Sequence, residues 1–270
     1  MSIKWIEHEN GICWEESSLL KESGLCHGVV GRSGGVSTGI FTSMNMALHV
    51  GDDIKSVLEN RRRFCETIGG SLQNFTSAQQ IHEDHIVAVG PLEIGSGAGS
   101  LADALEHTDA LMTNQTYVPL IIFVADCVPV ILYDKKHNAC AIVHDGWRGT
   151  VKRLAAKTVF AMRLAYGTMP ADILAYIGPA ISDAHYDVSE DTANQFRAMG
   201  PAYNACISEH DDTRSVDLWL ANRLLLEEAG LSRNHIDVSS SCVFAAPEKF
   251  FSSRFGQGHT GRNTAFAMLT

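Results

Sequence analysis

Hydrophobic and polar positions alternate differently along this chain, and the sharpest pattern lies at 120–150, LIIFVADCVPVILYDKKHNACAIVHDGWRGT. Two apolar, β-branched runs flank Ala125-Asp126-Cys127, and a third run ends in His144. Short Val- and Ile-rich runs predict buried strands rather than a helix. The polar Lys135-Lys136-His137-Asn138 predicts the turn between the second and third runs. Pro129 brings no N–H to a sheet ladder, so a kink or bulge is expected just after Cys127, with the thiol facing a cleft. Gly146-Trp147-Arg148-Gly149 reads as a turn, and Thr150 as the N-cap of a helix. That helix would carry Val151, Leu154, Ala155, Val159, Met162 and Tyr166 on one face.

The remaining pattern supplies elements on both sides of this segment. Short runs in 1–30 predict strands ending at 26–30. Residues 31–53 are rich in Gly, Ser and Thr and match neither a P-loop nor a dinucleotide fingerprint. Asp52 or Asp53 caps a predicted helix with Ile54, Val57, Leu58, Phe64, Cys65 and Ile68 inward, stopped by Gly69-Gly70. Its Arg61-Arg62-Arg63 run is expected on the solvated face, with one Arg turned inward to a carboxylate. Residues 76–89 read as a strand interrupted at 82–85, and 91–108 as a loop. Residues 173–178 predict a strand and 189–199 a helix capped by Ser189. A polar loop is expected at 201–215, a helix at 216–229, a half-buried strand at 236–244 and a last strand at the C-terminus.

Composition narrows the function. The 270 residues, 45% of them apolar, suffice for a sizeable core in one large domain or two small ones. The net charge of −10 argues against nonspecific binding to nucleic acid or anionic membrane. Seven cysteines without a close CxxC pair suit reduced thiols in a cytoplasmic protein. The acidic, mixed N-terminus is not expected to act as a signal peptide, and the longest apolar run, broken by Asp126, is too short to span a bilayer.

His82, Cys127 and His144 could converge as a three-ligand metal set. Two imidazoles and a thiolate suit zinc with an open fourth position, where bound water has a pKa near ~7. Cys127 with His144 could equally be a nucleophile–base dyad. Copper also accepts His₂Cys, although the absence of a His-x-His pair weakens a multicopper reading.

Gln80-Ile81-His82, Thr108-Asp-Ala-Leu-Met-Thr113, Ala125-Asp-Cys-Val-Pro129 and His144-Asp-Gly-Trp-Arg-Gly149 resemble the serial motifs of the YfiH-type family. That family is also known as the polyphenol oxidase, laccase-domain or purine nucleoside phosphorylase family. Arg32-Ser-Gly-Gly-Val-Ser37, Asn45, His49-Val-Gly-Asp-Asp53, Asn60-Arg61, Ile177-Gly-Pro-Ala-Ile181, Phe251-Ser-Ser-Arg254 and Thr260-Gly-Arg262 match in the same order, over nearly the whole chain.

The resemblance implies a single α+β domain over 1–270, with mixed β-sheets packed together and helices outside. It implies zinc, with copper possible, on His82, Cys127 and His144, which are also the catalytic residues. It implies phosphorolysis of adenosine, inosine, guanosine and 5′-methylthioadenosine, with adenosine deamination. The partners are then a small-molecule nucleoside and phosphate. Arg32 and Arg148 would hold phosphate through their guanidinium forks unless each pairs with Asp126 or Asp109, and Asn45 would contact substrate. Trp147 is expected in packing, and Asp126 or Asp145 would move protons. Asp145 departs from the family's usual Ala, and Glu83-Asp84-His85 departs from its small residue. The alternatives are a Cys-dependent amide hydrolase in peptidoglycan precursor editing, a copper-dependent polyphenol oxidase and a binding module.

Overall fold

The computed structural model describes residues 3–210 and 213–270; the expected 201–215 loop includes 211 and 212, which lie outside the described residues, as do residues 1 and 2. Two six-stranded mixed sheets face each other. The first orders its strands Ile3–Glu7, Cys13–Ser17, Cys26–Val30, Asn263–Met268, Leu120–Val124 and Thr76–Ser77. The second orders Ile236–Val238, Leu174–Ile177, Val128–Asp134, Ala139–Asp145, Ala110–Thr113 and Ile86–Ala88. Most pairs are antiparallel, and the short outer strands Thr76–Ser77, Ile86–Ala88 and Ile236–Val238 pair in parallel.

Strand alternation divides the core into layers. Val29, Ile122 and Ala265 of the first sheet meet Leu111, Ile131, Ile142 and Tyr176 of the second. The outer face of the second sheet, with Val130, Ala141 and Val143, packs on helices Leu154–Tyr166 and Leu218–Glu228. The outer face of the first, with Ile121, Phe123 and Phe266, packs on Phe64 and Cys65 of helix Ile54–Thr67. Each fully buried aliphatic or aromatic side chain contributes roughly 1.5–3 kcal/mol. The order helix, sheet, sheet, helix is the α+β arrangement expected.

Several local expectations change. The irregularity precedes Cys127: Asp126 is left-handed at φ 94°, and Pro129 sits in regular register opposite His144. The Pro129 nitrogen lies beyond the end of the neighbouring Leu174–Ile177 strand, so its missing N–H breaks no ladder. Thr150 caps nothing; its hydroxyl donates to the Gly146 carbonyl within a short helix, Trp147–Val151. A left-handed Arg153 separates that helix from Leu154–Tyr166, and the N–H of Ala155 is accepted by the Asp145 carboxylate instead.

Arg61 does turn inward, but to the carbonyls of Met46, Gly97 and Ala98 rather than to a carboxylate. It thereby anchors the Gly-rich 91–108 segment. Ile54 is exposed, because Asp53 starts the helix with that side chain outside. Ile207–His210 and Thr213–Val216 pair as strands in place of the expected 201–215 loop, after a turn of helix at Pro201–Cys206. Val216 thereby leaves the expected 216–229 helix, which runs Leu218–Glu228 behind its cap Asp217. The expected 236–244 strand stops at Val238, where its partner strand also ends.

Candidate metal centre

The chain crosses from the first sheet to the second twice near one end of the sandwich. One crossing, between Thr76–Ser77 and Ile86–Ala88, carries His82; the other, between Leu120–Val124 and Val128–Asp134, carries Cys127. His144 near the end of its strand faces the same inter-sheet layer. One ligand atom from each of these residues lies within 4.8 Å of the others. The imidazole centroids of His82 and His144 are 4.7 Å apart.

Asp109, fully buried, organises this cluster. One carboxylate oxygen accepts His144 Nδ1–H at 2.7 Å and the His82 backbone N–H at 3.1 Å. The other accepts the N–H groups of Ile81 at 3.1 Å and Glu83 at 2.8 Å. Three successive N–H groups aimed at one carboxylate hold His82 in the left-handed region, φ 62°. Burial opposes the charge of Asp109, but the hydrogen bond and positive charge of His144, with these N–H groups, hold its pKa below the usual carboxylate value. A carboxylate on Nδ1 leaves Nε2 of His144 to face the cluster, the usual support of a metal-bound imidazole.

Burial would push the Cys127 thiol up, yet the charge and hydrogen bond of His144, joined by His82, bring it down to about 6. For His144 burial acts downward, and Cys127 with Asp109 outweighs it, raising the pKa to about 10. The pair therefore favours the thiolate that a metal requires and keeps on His144 a proton that a bound metal would displace. Space is reserved as well: a Cβ on Gly146 would stand 2.7 Å from Cys127 Sγ. These residues fit a three-ligand metal with an open position. Among the described residues they form the only such group.

His82, Cys127 and His144 open into a cleft of about 280 Å³ whose wall includes His49, Gln80, Phe123, Ser253 and Arg262. Arg262 lowers its own cost of burial by donating to the carbonyls of Thr260 and Gly261 at 3.0 and 3.1 Å. Asn45, expected to touch substrate, is fully buried and accepts the Arg262 backbone N–H at 3.1 Å, so it positions Arg262 instead. Arg32, expected at phosphate, donates to the carbonyls of Thr42 and Pro247 and stacks on Phe251, away from the cleft wall. Arg148 is exposed with its guanidinium 4.3 Å from the Trp147 ring, which packs against the helix-side core as expected. Neither Arg pairs with Asp109 or Asp126.

The two proposed proton carriers are otherwise engaged. Asp126 accepts the Ser252 hydroxyl at 2.5 Å and the Arg254 N–H at 2.7 Å. Asp145 points to the helix side of its strand, opposite His144, where Gly149 permits its close approach. Burial, opposed mainly by the Ala155 N–H, pushes its pKa up to about 7. Sequence reasoning missed Asp109, Arg262 and His49 as site residues. All three stand in motifs matched above, and that membership was the available signal.

The family model described as multi-copper polyphenol oxidoreductase laccase matches residues 26–270. "Purine nucleoside phosphorylase YlmD" of Bacillus subtilis (strain 168) is 35% identical over 88% of this chain and 86% of its own. "Purine nucleoside phosphorylase" of Bacteroides thetaiotaomicron is 32% identical over 88% of both. The crystal structure of YlmD from Geobacillus stearothermophilus superposes with a TM-score of 0.93, at 33% identity over 98% of each chain. The chain therefore belongs to the family described as multi-copper polyphenol oxidoreductase laccase, which is the YfiH-like family its motifs resemble.

Proposed function

We propose that this protein is a zinc-dependent enzyme of purine nucleosides, cleaving the glycosidic bond with phosphate and removing the 6-amino group of adenosine. The observation that carries this reading is the convergence of His82, Cys127 and His144 in a cleft that also holds Arg262. The names of the relatives supply the substrate class, and adenosine, inosine, guanosine and 5′-methylthioadenosine are its proposed members.

His82, Cys127 and His144 would hold the metal, which when bound supplies Lewis acidity and a nucleophile from water near neutral pH. Asp109 fixes the His144 tautomer and the His82 loop. Arg262 offers its guanidinium to phosphate within the cleft. Phe123 and Ala125 line the wall and limit water.

A second reading rests on the chain of contacts Asp109–His144–Cys127, which is the order of a nucleophile, its base and an orienting carboxylate. It makes the protein a Cys-dependent amide hydrolase. Elemental analysis of the purified protein, beside an assay with inosine or adenosine and phosphate, separates the readings. The expected result is one zinc per chain, with free base and ribose 1-phosphate formed, and ammonia from adenosine. Metal-free protein that cleaves an amide and dies on thiol alkylation would establish the hydrolase; stoichiometric copper with phenol oxidation would establish a polyphenol oxidase.

A further inference from the structure

A second chamber of about 430 Å³ adjoins the metal cleft, and the two share His49 and Gln80 as a common wall. The chambers differ in chemistry. The cleft presents metal ligands and Arg262, whereas the second chamber is walled by Ala78, Leu101 and Ala102. Its amides are already committed: Gln79 Nε2 donates to the Leu101 carbonyl at 2.9 Å. Gln80 donates to the Phe123 carbonyl at 2.9 Å and accepts the Phe123 N–H at 2.8 Å, so its side chain is pinned at both ends.

His49 is the exception in that wall. Its ring meets the Phe123 ring edge-on at 6.1 Å, and among the described residues its nitrogens have no hydrogen-bond partner. Burial, then the positive charges of Arg262 and Arg61, lower its pKa to about 4. At neutral pH the ring is uncharged, with one N–H to donate. An apolar slot with one free donor in the wall it shares with the metal cleft matches a purine, whose faces are apolar and whose ring nitrogens accept.

We propose that this second chamber is the purine-base subsite and that His49 donates a hydrogen bond to N7 of the departing base. The proposal rests on the phosphorylase reading and adds to it the base subsite and the group that steadies the leaving base. With the base there, ribose crosses the shared wall and C1′ faces the cleft where Arg262 holds phosphate. A phosphate oxygen bonds C1′ as the C1′–N9 bond breaks, and the bonding pair leaves on the base. The charge spreads to N7, where the His49 N–H meets it. His49 keeps its proton, and the proton lost by hydrogenphosphate reaches the base through solvent.

The test compares inosine with 7-methylinosine, whose N7 can accept no hydrogen bond, in wild type and His49→Phe. The substitution keeps the ring contact with Phe123 and removes the donor. Turnover of inosine should fall about tenfold to a hundredfold, the worth of one hydrogen bond to a charged group. Turnover of 7-methylinosine should change less than threefold, at unchanged metal content. Equal losses on both substrates, or none on either, would overturn the role of His49. Ala102→Trp should fill the chamber, weakening direct binding of free hypoxanthine more than tenfold while metal content stays; undiminished binding would overturn the subsite. If wild type binds hypoxanthine in the chamber yet fails to turn over inosine, the phosphorylase reading falls while the chamber stands, and with it falls the catalytic role of His49.

Discussion

His27 and His144 are both buried imidazoles, and both point into the layer between the two sheets. His27 is 1% exposed on the first sheet and His144 is 4% exposed on the second. Burial acts downward on both, yet His27 falls to about 4 while His144 rises to about 10. The difference lies in their partners. His27 accepts the Ser17 N–H at 3.1 Å and meets the Leu25 carbonyl at 3.1 Å, both neutral. His144 stands between the Cys127 thiol and the Asp109 carboxylate. Depth of burial alone therefore does not mark a chemical centre; anionic partners on both ring nitrogens do.

Removing one anion from the His144 side is the strongest way to break this contrast. Cys127→Ala takes away one of three ligands and should abolish bound metal and nucleoside turnover while circular dichroism stays native. A mutant with full metal occupancy would refute the site. Asp109→Asn comes next, because it keeps the shape but removes the charge and turns one of the two accepting oxygens into a donor, so His144 and the 81–83 N–H groups can no longer both be held. Metal affinity or activity should drop 10- to 100-fold, as is usual for such supporting carboxylates, and metal titration reads it directly.

The His27 side is sharpened by acid. Its pKa in the fold, about 4, lies below the ordinary 6.5, so the stability it provides is fully present above pH 6.5 and is lost as pH falls from 6.5 through 4. The unfolded chain binds the proton that the fold refuses, at a cost on the order of 3 kcal/mol. His27→Gln should flatten denaturant midpoints measured over pH 4–7, although only in part, since His49 titrates in the same window. An acid limb identical to wild type would remove His27 from the account.

The smallest effect belongs to Asp145, which is buried beside His144 in sequence but faces the helices. Asp145→Ala, restoring the family's residue, removes an acceptor for the Ala155 N–H and also a carboxylate oxygen without a partner. A cap is worth about 1 kcal/mol, and losing the unpaired oxygen offsets part of it. Metal content should hold and turnover change less than threefold. A hundredfold loss in kcat would make Asp145 catalytic.

The strand runs around Cys127 and His144, and the helices capped by Asp53, Ser189 and Asp217, were legible because their signals are local. The grouping of His82, Cys127 and His144 was legible through matched motifs, whereas spacing alone left their convergence undecided. Arg262, Asp109 and His49 depend on where loops land, which no short-range pattern encodes. Arg61 illustrates the converse: three adjacent arginines read alike in sequence, yet the helix turns only one toward the carbonyls of Met46, Gly97 and Ala98. The hairpin within 201–215 was hidden because one of its strands, Thr213–Val216, begins with polar residues.

The placement of His82 and Cys127 on the two sheet crossings has a mechanical consequence. An ion held there would act as a clasp across the open end of the sandwich, since the sheets could not part at that end without releasing it. Binding to the folded chain alone would then add to stability by mass action, about 2.7 kcal/mol when free metal is at a hundred times its dissociation constant. Chelation would loosen the architecture as well as silence the chemistry, so metal supply would set how long the folded chain persists.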